Sequence, residues 1–148
     1  MAQIDLFTDG SALGNPGPGG YGAILRSGTK EKELSEGFFH TTNNRMELMA
    51  VIVGLEALKL KGCQVRVVSD SKYVVDAFNK DWMSGWKRRN FAKVKNVDLW
   101  KRLLRAMEGQ EVRFEWVKGH NDHPENERCD QLAVAAANRP SQDDISPE

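Results

Sequence analysis

The segment Val65-Arg66-Val67-Val68-Ser69-Asp70 decides the fold, because it is a short, nearly continuous apolar run, rich in β-branched residues, that ends in an acid. Such a run is typical of a central strand that is buried on both faces. Residues 4–8 have the same character and are followed by Asp9. If the two strands are adjacent and parallel, their acids lie side by side at the carboxyl ends of the strands, where open α/β sheets place their sites.

The elements around these two strands predict an α/β fold. Turn residues separate strands at 4–8, 21–26 and 33–39, which favours an antiparallel meander. Apolar periodicity and chain breakers predict helices at 44–61 (stopped by Gly62), 72–79, 97–108 and 125–138, and strands at 65–69 and 112–116. We therefore expect a mixed five-stranded sheet, three antiparallel strands plus two parallel ones, flanked by helices.

Composition sets the class of protein. The 148 residues suffice for one domain, which we place at 1–140, and residues 141–148 form a polar, acidic segment that we expect to be disordered. No run approaches the roughly 20 apolar residues of a membrane span, and the first residues lack the pattern of a secretory signal. Two distant cysteines favour buried thiols in a reducing compartment. We expect a cytoplasmic monomer with no membrane association and no obligate protein partner.

Four acids stand beside or within apolar segments, where a charge is hard to explain structurally. They are Asp9, Glu47, Asp70 and Asp130. Clustered carboxylates repel one another unless cations neutralise them, and hard oxygen ligands suit Mg²⁺ or Mn²⁺. The four acids together predict a metal-dependent phosphoryl-transfer site.

Each acid also has a purely structural explanation. Asp9 could initiate a turn, and Asp70 could cap the helix that follows it. Glu47 could form a capping box with Asn44, and Asp130 could favour the macrodipole of its helix. A single shared role is the more economical hypothesis.

A basic segment between residues 80 and 105 suits a polyanionic partner. Nine cations there face only Asp81 and Asp98, which gives the segment a net charge of +7 in a chain of net charge zero. Aromatic residues are interleaved with the cations, namely Trp82, Trp86, Phe91 and Trp100. Such a mixture grips phosphates and packs on sugars, although the cations could form a solvated helix face and the aromatics could belong to the core.

Two loops offer further candidates. The glycine-rich residues 14–20 lack P-loop spacing and lead into a strand, so we interpret them as a hairpin loop in which Asn15 contacts nucleic acid. His120 follows Gly119 in a loop and is suited to proton transfer beside the acids, whereas His123 precedes a proline and is interpreted as structural. Zinc binding by these histidines with Cys129 matches no common spacing.

Taken together, these residues resemble ribonuclease H of type 1, the bacterial ribonuclease HI family. The resemblance runs from residue 4 to about 137 and rests on five motifs. They are Thr8-Asp9-Gly10-Ser11, Gly14-Asn15-Pro16-Gly17, Thr42-Asn43-Asn44-Arg45-Met46-Glu47-Leu48, Ser69-Asp70-Ser71, and Gly119-His120 through Glu127-Arg128-Cys129-Asp130.

The resemblance implies a role for each matching position. The metal-binding carboxylates fall on Asp9, Glu47, Asp70 and Asp130, and the mobile catalytic histidine falls on His120. Contacts to the RNA strand fall on Asn15, Asn43 and Asn44, and a DNA-phosphate pocket falls on Thr42 and Arg45. The basic protrusion falls on about residues 82–95, and the nucleic-acid contacts that we assign there and nearby are Trp82, Trp86, Lys87, Arg88, Arg89, Trp100 and Lys72.

The implied reaction is hydrolysis of the RNA strand of an RNA–DNA hybrid by two Mg²⁺ ions, with Mn²⁺ as a possible substitute, leaving 5′-phosphate and 3′-hydroxyl ends with little sequence preference. Two departures concern substrate binding only: the protrusion is shorter than in the longest bacterial members, and Lys72 stands where some members carry glutamine. The alternatives are another polynucleotidyl transferase or resolvase of the same fold, and a non-catalytic hybrid-binding module.

Overall fold

A five-stranded mixed sheet forms the centre of the molecule in the computed structural model, which describes residues 2–118 and 123–144. The strands are β1 (Gln3–Ala12), β2 (Gly17–Ser27), β3 (Lys30–Thr41), β4 (Gln64–Ser69) and β5 (Glu111–Trp116). The helices are α1 (Asn43–Glu56), α2 (Lys72–Asn79), α3 (Trp82–Arg88), α4 (Val97–Met107) and α5 (Pro124–Ala137).

The strand order is β3-β2-β1-β4-β5, which confirms the predicted sheet. The first three strands form an antiparallel meander in which Thr8 pairs with Ala23. β4 runs parallel to both β1 and β5, and Phe7 opposite Val68 is the last pair of the β1–β4 ladder. The two central strands, one that contains Asp9 and one that precedes Asp70, are therefore adjacent and parallel, as the sequence predicted.

Alternation along the strands sends side chains to two apolar layers. Leu6 and Val67 point to one face, where they pack in a core with residues of α1, α2 and α4. Phe7 and Val68 point to the other face and pack against Cys129 of α5. The sheet is thus covered by helices on both sides of its central strands.

Several elements differ from the sequence prediction, and among them β1 continues to Ala12, so that Asp9 lies within the strand rather than after it. α1 ends at Glu56 rather than at residue 61, because the following residues turn toward β4, where the Gly62 N–H donates to the Gly109 carbonyl at 2.7 Å. α3 was not predicted as a helix, since it has seven residues and buries only Met83. Much of the glycine-rich segment belongs to β2, which begins at Gly17.

Residues 141–144, predicted as the start of a disordered tail, are hydrogen-bonded along β3. The N–H groups of Ser141 and Gln142 both donate to the Gly37 carbonyl at 3.0 Å, and the Phe39 N–H donates to the Gln142 carbonyl at 2.9 Å. The predicted tail residues 145–148 lie outside the described residues. Among the helices of residues 2–118 and 123–144, none combines the length and apolar character that crossing a membrane requires.

Candidate metal centre and nucleic-acid interface

Asp9 and Asp70 lie close together because β1 and β4, which position them, are neighbouring strands. Asp9 lies in β1 just beyond the last pair of the parallel ladder, and Asp70 directly follows β4. The Asp9 side chain is buried at 4% exposure, and one of its oxygens accepts the Gly10 N–H at 2.9 Å. The carboxyl ends of the two central strands therefore place two acids together.

Glu47 reaches the same place because β1 and α1 touch at a glycine. A Cβ atom at Gly10 would collide with the backbone of Met46 and Glu47, so only glycine allows this approach. The N-cap of α1 is Thr42, whose hydroxyl accepts the Arg45 N–H at 3.3 Å. The alternative of a capping box between Asn44 and Glu47 is therefore wrong, because Asn44 lies inside the helix.

The three acids form a compact group of oxygen donors. One carboxylate oxygen from each of Asp9, Glu47 and Asp70 lies within 4.8 Å of the others. The Glu47 Oε1 atom is buried and accepts no hydrogen bond from the described part of the chain. Buried polar atoms are almost always satisfied in native structures, so this oxygen indicates a missing partner. The group fits a divalent cation that prefers hard oxygen ligands.

Asp130 reaches the group from α5 on the other side of the sheet. It is not among the three acids whose oxygens converge within 4.8 Å, but its interaction with Asp9 contributes to the raised pKa of that residue. The structure therefore brings Asp9, Glu47 and Asp70 together, and a metal-binding role for Asp130 stays a prediction.

Burial and mutual repulsion shift the ionisation of this cluster. Burial, the charge of Asp70 and the contact with Asp130 raise the pKa of Asp9 from 3.8 to about 8. Burial also raises the pKa of Glu47 well above its ordinary value, and the charges of Asp9 and Asp70 add to this effect. Without a cation, the folded protein resists full ionisation of its own site.

Asp70 does not cap α2, which was the structural alternative for this residue. The N-cap is Ser71, whose hydroxyl accepts the Val74 N–H at 3.4 Å. Trp116, which sequence reasoning did not assign to the site, donates its indole N–H to the Asp70 carbonyl at 3.0 Å. The Lys72 ammonium group lies 4.7 Å from the centre of the same ring, so this predicted nucleic-acid contact stands beside the acids.

The predicted RNA contacts form a small polar surface at the start of α1. The Asn43 Oδ1 atom accepts the Ala12 N–H at 2.6 Å, and the Asn15 Oδ1 atom accepts the Asn43 N–H at 3.1 Å. Asn15, Asn43 and Asn44 are all exposed. The bond between Asn15 and Asn43 links the loop at 13–16 to the start of α1, and the bond between Asn43 and Ala12 links the end of β1 to the same place.

Arg45 is held inside the protein rather than presented on the surface. It is 4% exposed, and its guanidinium group donates to Asp98 at 2.8 Å and to Asp144 at 2.7 Å. Asp144 also accepts the Thr41 hydroxyl at 2.6 Å. The hydrogen bonds from Arg45 lower the pKa of Asp98. The guanidinium group of Arg45 is thus already paired with two carboxylates of the protein, Asp98 and Asp144. Thr42, the other residue of the predicted DNA-phosphate pocket, is half-buried.

The aromatic residues of the basic segment divide into two groups. Trp82 is 43% exposed at the start of α3, and Lys87, Arg88 and Arg89 are exposed at its end. Trp100 is fully buried, and its indole N–H donates to the Tyr73 hydroxyl at 3.3 Å. The prediction that Trp100 contacts nucleic acid is wrong, because a ring enclosed in the core offers no face to a base or sugar.

Trp86 lies between these two groups. Its ring is half-buried and packs edge-on against Trp100, with 5.0 Å between the ring centres. The same tryptophan is 6.5 Å from Trp82, measured between ring centres. Trp86 therefore lies between the buried Trp100 ring and the exposed Trp82 ring. A direct contact between Trp86 and nucleic acid stays a prediction.

The remaining candidates fall in and around the last loop. His120 lies outside the described residues, so its role stays a prediction. His123 is the N-cap residue of α5, but its side chain makes no capping hydrogen bond, so its structural role stays a prediction. Cys129 is fully buried and its thiol donates to the Phe7 carbonyl at 3.2 Å, an environment that raises the pKa of the thiol and disfavours the thiolate that binds zinc.

Asn126 is a further residue that sequence reasoning missed. It is 1% exposed in the first turn of α5, and its amide group donates to carbonyls of β1 and β4. An asparagine between two glutamates reads as an ordinary exposed helix residue, so the sequence carried no signal for it.

This arrangement defines an α/β protein with a carboxylate metal centre, and comparison with known proteins agrees. The RNase H family model matches residues 1–138. Ribonuclease H of Proteus mirabilis (strain HI4320) is 58% identical over 147 residues, which cover 96% of this chain and 91% of that protein.

Two solved structures show the same fold. LC9-RNase H1, a type 1 RNase H with the type 2 active-site motif, superposes with a TM-score of 0.86 at 31% identity, over 96% of this chain and 75% of the other. LC11-RNase H1, solved in complex with an RNA/DNA hybrid, gives a TM-score of 0.65 at 25% identity, over 92% of this chain and 97% of the other. The chain belongs to the RNase H family and is a nuclease.

Proposed function

We propose that the carboxylate centre binds two divalent ions, Mg²⁺ with Mn²⁺ as an alternative, and that the chain uses them to hydrolyse the RNA strand of RNA–DNA hybrids. One observation carries this proposal: the oxygens of Asp9, Glu47 and Asp70 converge within 4.8 Å although the three residues come from three separate elements. Membership of the RNase H family supports the same activity.

The donor set suits the proposed cofactor. All the candidate ligand atoms are carboxylate oxygens, which favour Mg²⁺ and Mn²⁺ over softer metals. The raised pKa of Asp9, about 8, reflects an excess of negative charge that divalent cations would offset. Bound divalent ions supply activation of the attacking water and stabilisation of the charge that develops on the leaving oxygen.

The protein groups have distinct tasks in this proposal. Asp9, Glu47 and Asp70 would hold the cations, through which the scissile phosphate would be oriented, and Asp130 would complete the set next to Asp9. His120 accepts a proton or assists product release, so that its loss slows turnover without abolishing it. Cleavage leaves a 5′-phosphate and a 3′-hydroxyl.

Recognition of the RNA strand rests on the exposed asparagines. Amide groups donate to and accept from 2′-hydroxyls, which only RNA offers in the shallow minor groove. Asn15 and Asn43 are fixed to each other by a hydrogen bond of 3.1 Å, so this surface is preorganised. The solved hybrid complex of the similar LC11-RNase H1 supports a hybrid as the substrate class.

The second strand would lie along the basic segment. Trp82 offers an exposed ring, and the cations at 87–89 offer charge for phosphates. Thr42 stays in the proposed DNA-phosphate pocket. Arg45 contributes to that pocket by fixing the first turn of α1, since its guanidinium group is already bound by Asp98 and Asp144.

We also propose that the chain acts in the cytoplasm as a monomer without an obligate protein partner. Both cysteines are free and buried, at 3% for Cys63 and 0% for Cys129, which suits a reducing compartment.

The decisive experiment incubates the protein with a labelled RNA–DNA hybrid, with duplex RNA and duplex DNA as controls, in Mg²⁺ and in EDTA. We expect cleavage of the RNA strand of the hybrid alone, abolished by EDTA. Asp70→Asn should bind the hybrid and fail to cut it, whereas Asp5→Asn, on β1 away from the site, should cut normally. Cleavage of Holliday junctions but not of hybrids would favour a resolvase, and full activity of Asp70→Asn would remove the metal centre from the mechanism.

A further inference from the structure

Asn126 makes two hydrogen bonds with a single nitrogen in the interior of the protein. Its side-chain Nδ2 donates to the Val68 carbonyl at 3.0 Å and to the Thr8 carbonyl at 3.3 Å. Because both partners are acceptors, the amide nitrogen must face them. Both N–H bonds of the side chain are therefore used to hold backbone.

The Thr8 and Val68 carbonyls lie at the point where backbone pairing between β1 and β4 ends. The parallel ladder between β1 and β4 ends at the pair Phe7 and Val68. Thr8 directly precedes Asp9, and Val68 lies two residues before Asp70. Beyond the pair of Phe7 and Val68, the Asn126 amide links β1 to β4 in place of backbone hydrogen bonds. It therefore fixes the distance between the two strands just before Asp9 and Asp70.

The same residue also fixes the helix that carries the fourth acid. Asp130 follows Asn126 by four residues in α5, so the two side chains lie on one face of the helix, one turn apart. One amide thus connects the chain segments that carry Asp9, Asp70 and Asp130, and it does so from a position with 1% exposure that no substrate reaches.

We propose that Asn126 is a positioning residue that sets the spacing of these three carboxylates and thereby the affinity of the site for divalent cations. This inference rests on the proposed function, because it assumes that the carboxylates hold cations. Partners that orient metal ligands from behind typically change metal affinity 10- to 100-fold when they are removed, roughly the scale expected here.

The chemistry of asparagine explains the choice of residue. Two strands require two donors from one short side chain, which an amide provides. Serine offers one donor, and alanine offers none. Aspartate offers none when ionised and adds a charge to an already acidic region. The variants Asn126→Ser and Asn126→Ala therefore reduce the number of side-chain hydrogen-bond donors from two to one and to none.

The test measures Mn²⁺ binding to the protein alone by electron paramagnetic resonance, together with the Mg²⁺ dependence of hybrid cleavage. We expect Asn126→Ala to weaken Mn²⁺ binding about 10-fold or more, and to raise the Mg²⁺ concentration for half-maximal cleavage by a similar factor. At saturating Mg²⁺, the KM for the hybrid should change by less than about threefold, because the residue does not touch substrate.

Cys129→Ala is the matched control. Its thiol bonds the Phe7 carbonyl from the same helix to the same strand, but its hydrogen bond does not reach β4. We expect it to lose stability while keeping the Mn²⁺ affinity of the unmodified protein. If Cys129→Ala weakens Mn²⁺ binding as much as Asn126→Ala does, general loosening of α5 explains the effect and the inference is overturned.

Three further outcomes are decisive. If Asn126→Ala does not fold, Asn126→Ser, which keeps one donor, should fold and bind Mn²⁺ with intermediate affinity, and unchanged affinity in that variant overturns the inference. If the unmodified protein binds Mn²⁺ and cleaves hybrids while the folded Asn126 variants match it, only this inference fails. If the unmodified protein does neither, the proposed function fails with it.

Discussion

Replacement of Asp9 by asparagine should stabilise the metal-free protein while it destroys activity. The Asp9 carboxyl is 4% exposed and stands beside three other acids, so its charged form is unfavourable in the folded state. Asparagine has nearly the same shape and no charge. The variant therefore removes the repulsion and leaves the packing in place.

The magnitude follows from the pKa of Asp9, which rises from 3.8 to about 8 on folding. A raised pKa means that the folded state binds the proton more tightly than the unfolded state does, so the stabilising contribution is complete below about pH 4 and is lost as the pH rises to about 8. At pH 7 the free-energy difference is at most roughly 4 kcal/mol. The neighbouring acids share the cost of placing negative charge in the site. We therefore expect Asp9→Asn to raise the free energy of unfolding at pH 7 by about 2 kcal/mol.

Urea denaturation in EDTA at pH 5 and pH 7 measures the effect. The variant should exceed the unmodified protein by about 2 kcal/mol at pH 7 and by clearly less at pH 5. Excess Mg²⁺ should reduce this difference in the free energy of unfolding, because binding of the cation stabilises the unmodified protein more than it stabilises the variant. Asp5→Asn is the control, since Asp5 is half-exposed in an ion pair with Arg66 and should change stability by less than about 1 kcal/mol. An Asp9→Asn variant that is no more stable at pH 7 in EDTA would refute the reasoning.

Three further predictions concern other parts of the structure. Gly10→Ala should lower hybrid cleavage about 100-fold, because the added Cβ pushes the backbone of Glu47 away from the site; cleavage within about threefold of normal would contradict this. Arg45→Ala should lose about 3 kcal/mol of stability in urea denaturation, because two carboxylates lose their buried partner, and a loss below about 1 kcal/mol would assign the residue to substrate binding instead. Trp82→Ala should weaken hybrid binding roughly fivefold (about 1 kcal/mol) without loss of stability. Trp100→Phe should show the reverse pattern, and a hybrid affinity reduced by Trp100→Phe alone would show that our division of the aromatic residues is incorrect.

The sequence by itself determined the order of all the elements except α3, and it predicted the acids of the candidate metal centre, of which the structure brings Asp9, Glu47 and Asp70 together. Apolar runs and chain breakers are local properties, and they located the two central strands and the acids that follow them. An acid at the end of a buried strand is costly without a partner, so Asp9 and Asp70 were visible as candidates before any contact was known. The motif resemblance then assigned roles to Glu47 and Asp130.

Only the tertiary structure decided which of the remaining polar and aromatic residues support the site and which face the solvent. Asn126 bonds carbonyls that are 118 and 58 residues distant in the chain, and Arg45 is neutralised by Asp144 from 99 residues away. Trp100 and Trp82 both lie in the basic segment between residues 80 and 105, yet Trp100 is enclosed and Trp82 is exposed. Periodicity describes neighbours along the chain, whereas burial and pairing depend on segments that meet only when the sheet and helices pack together.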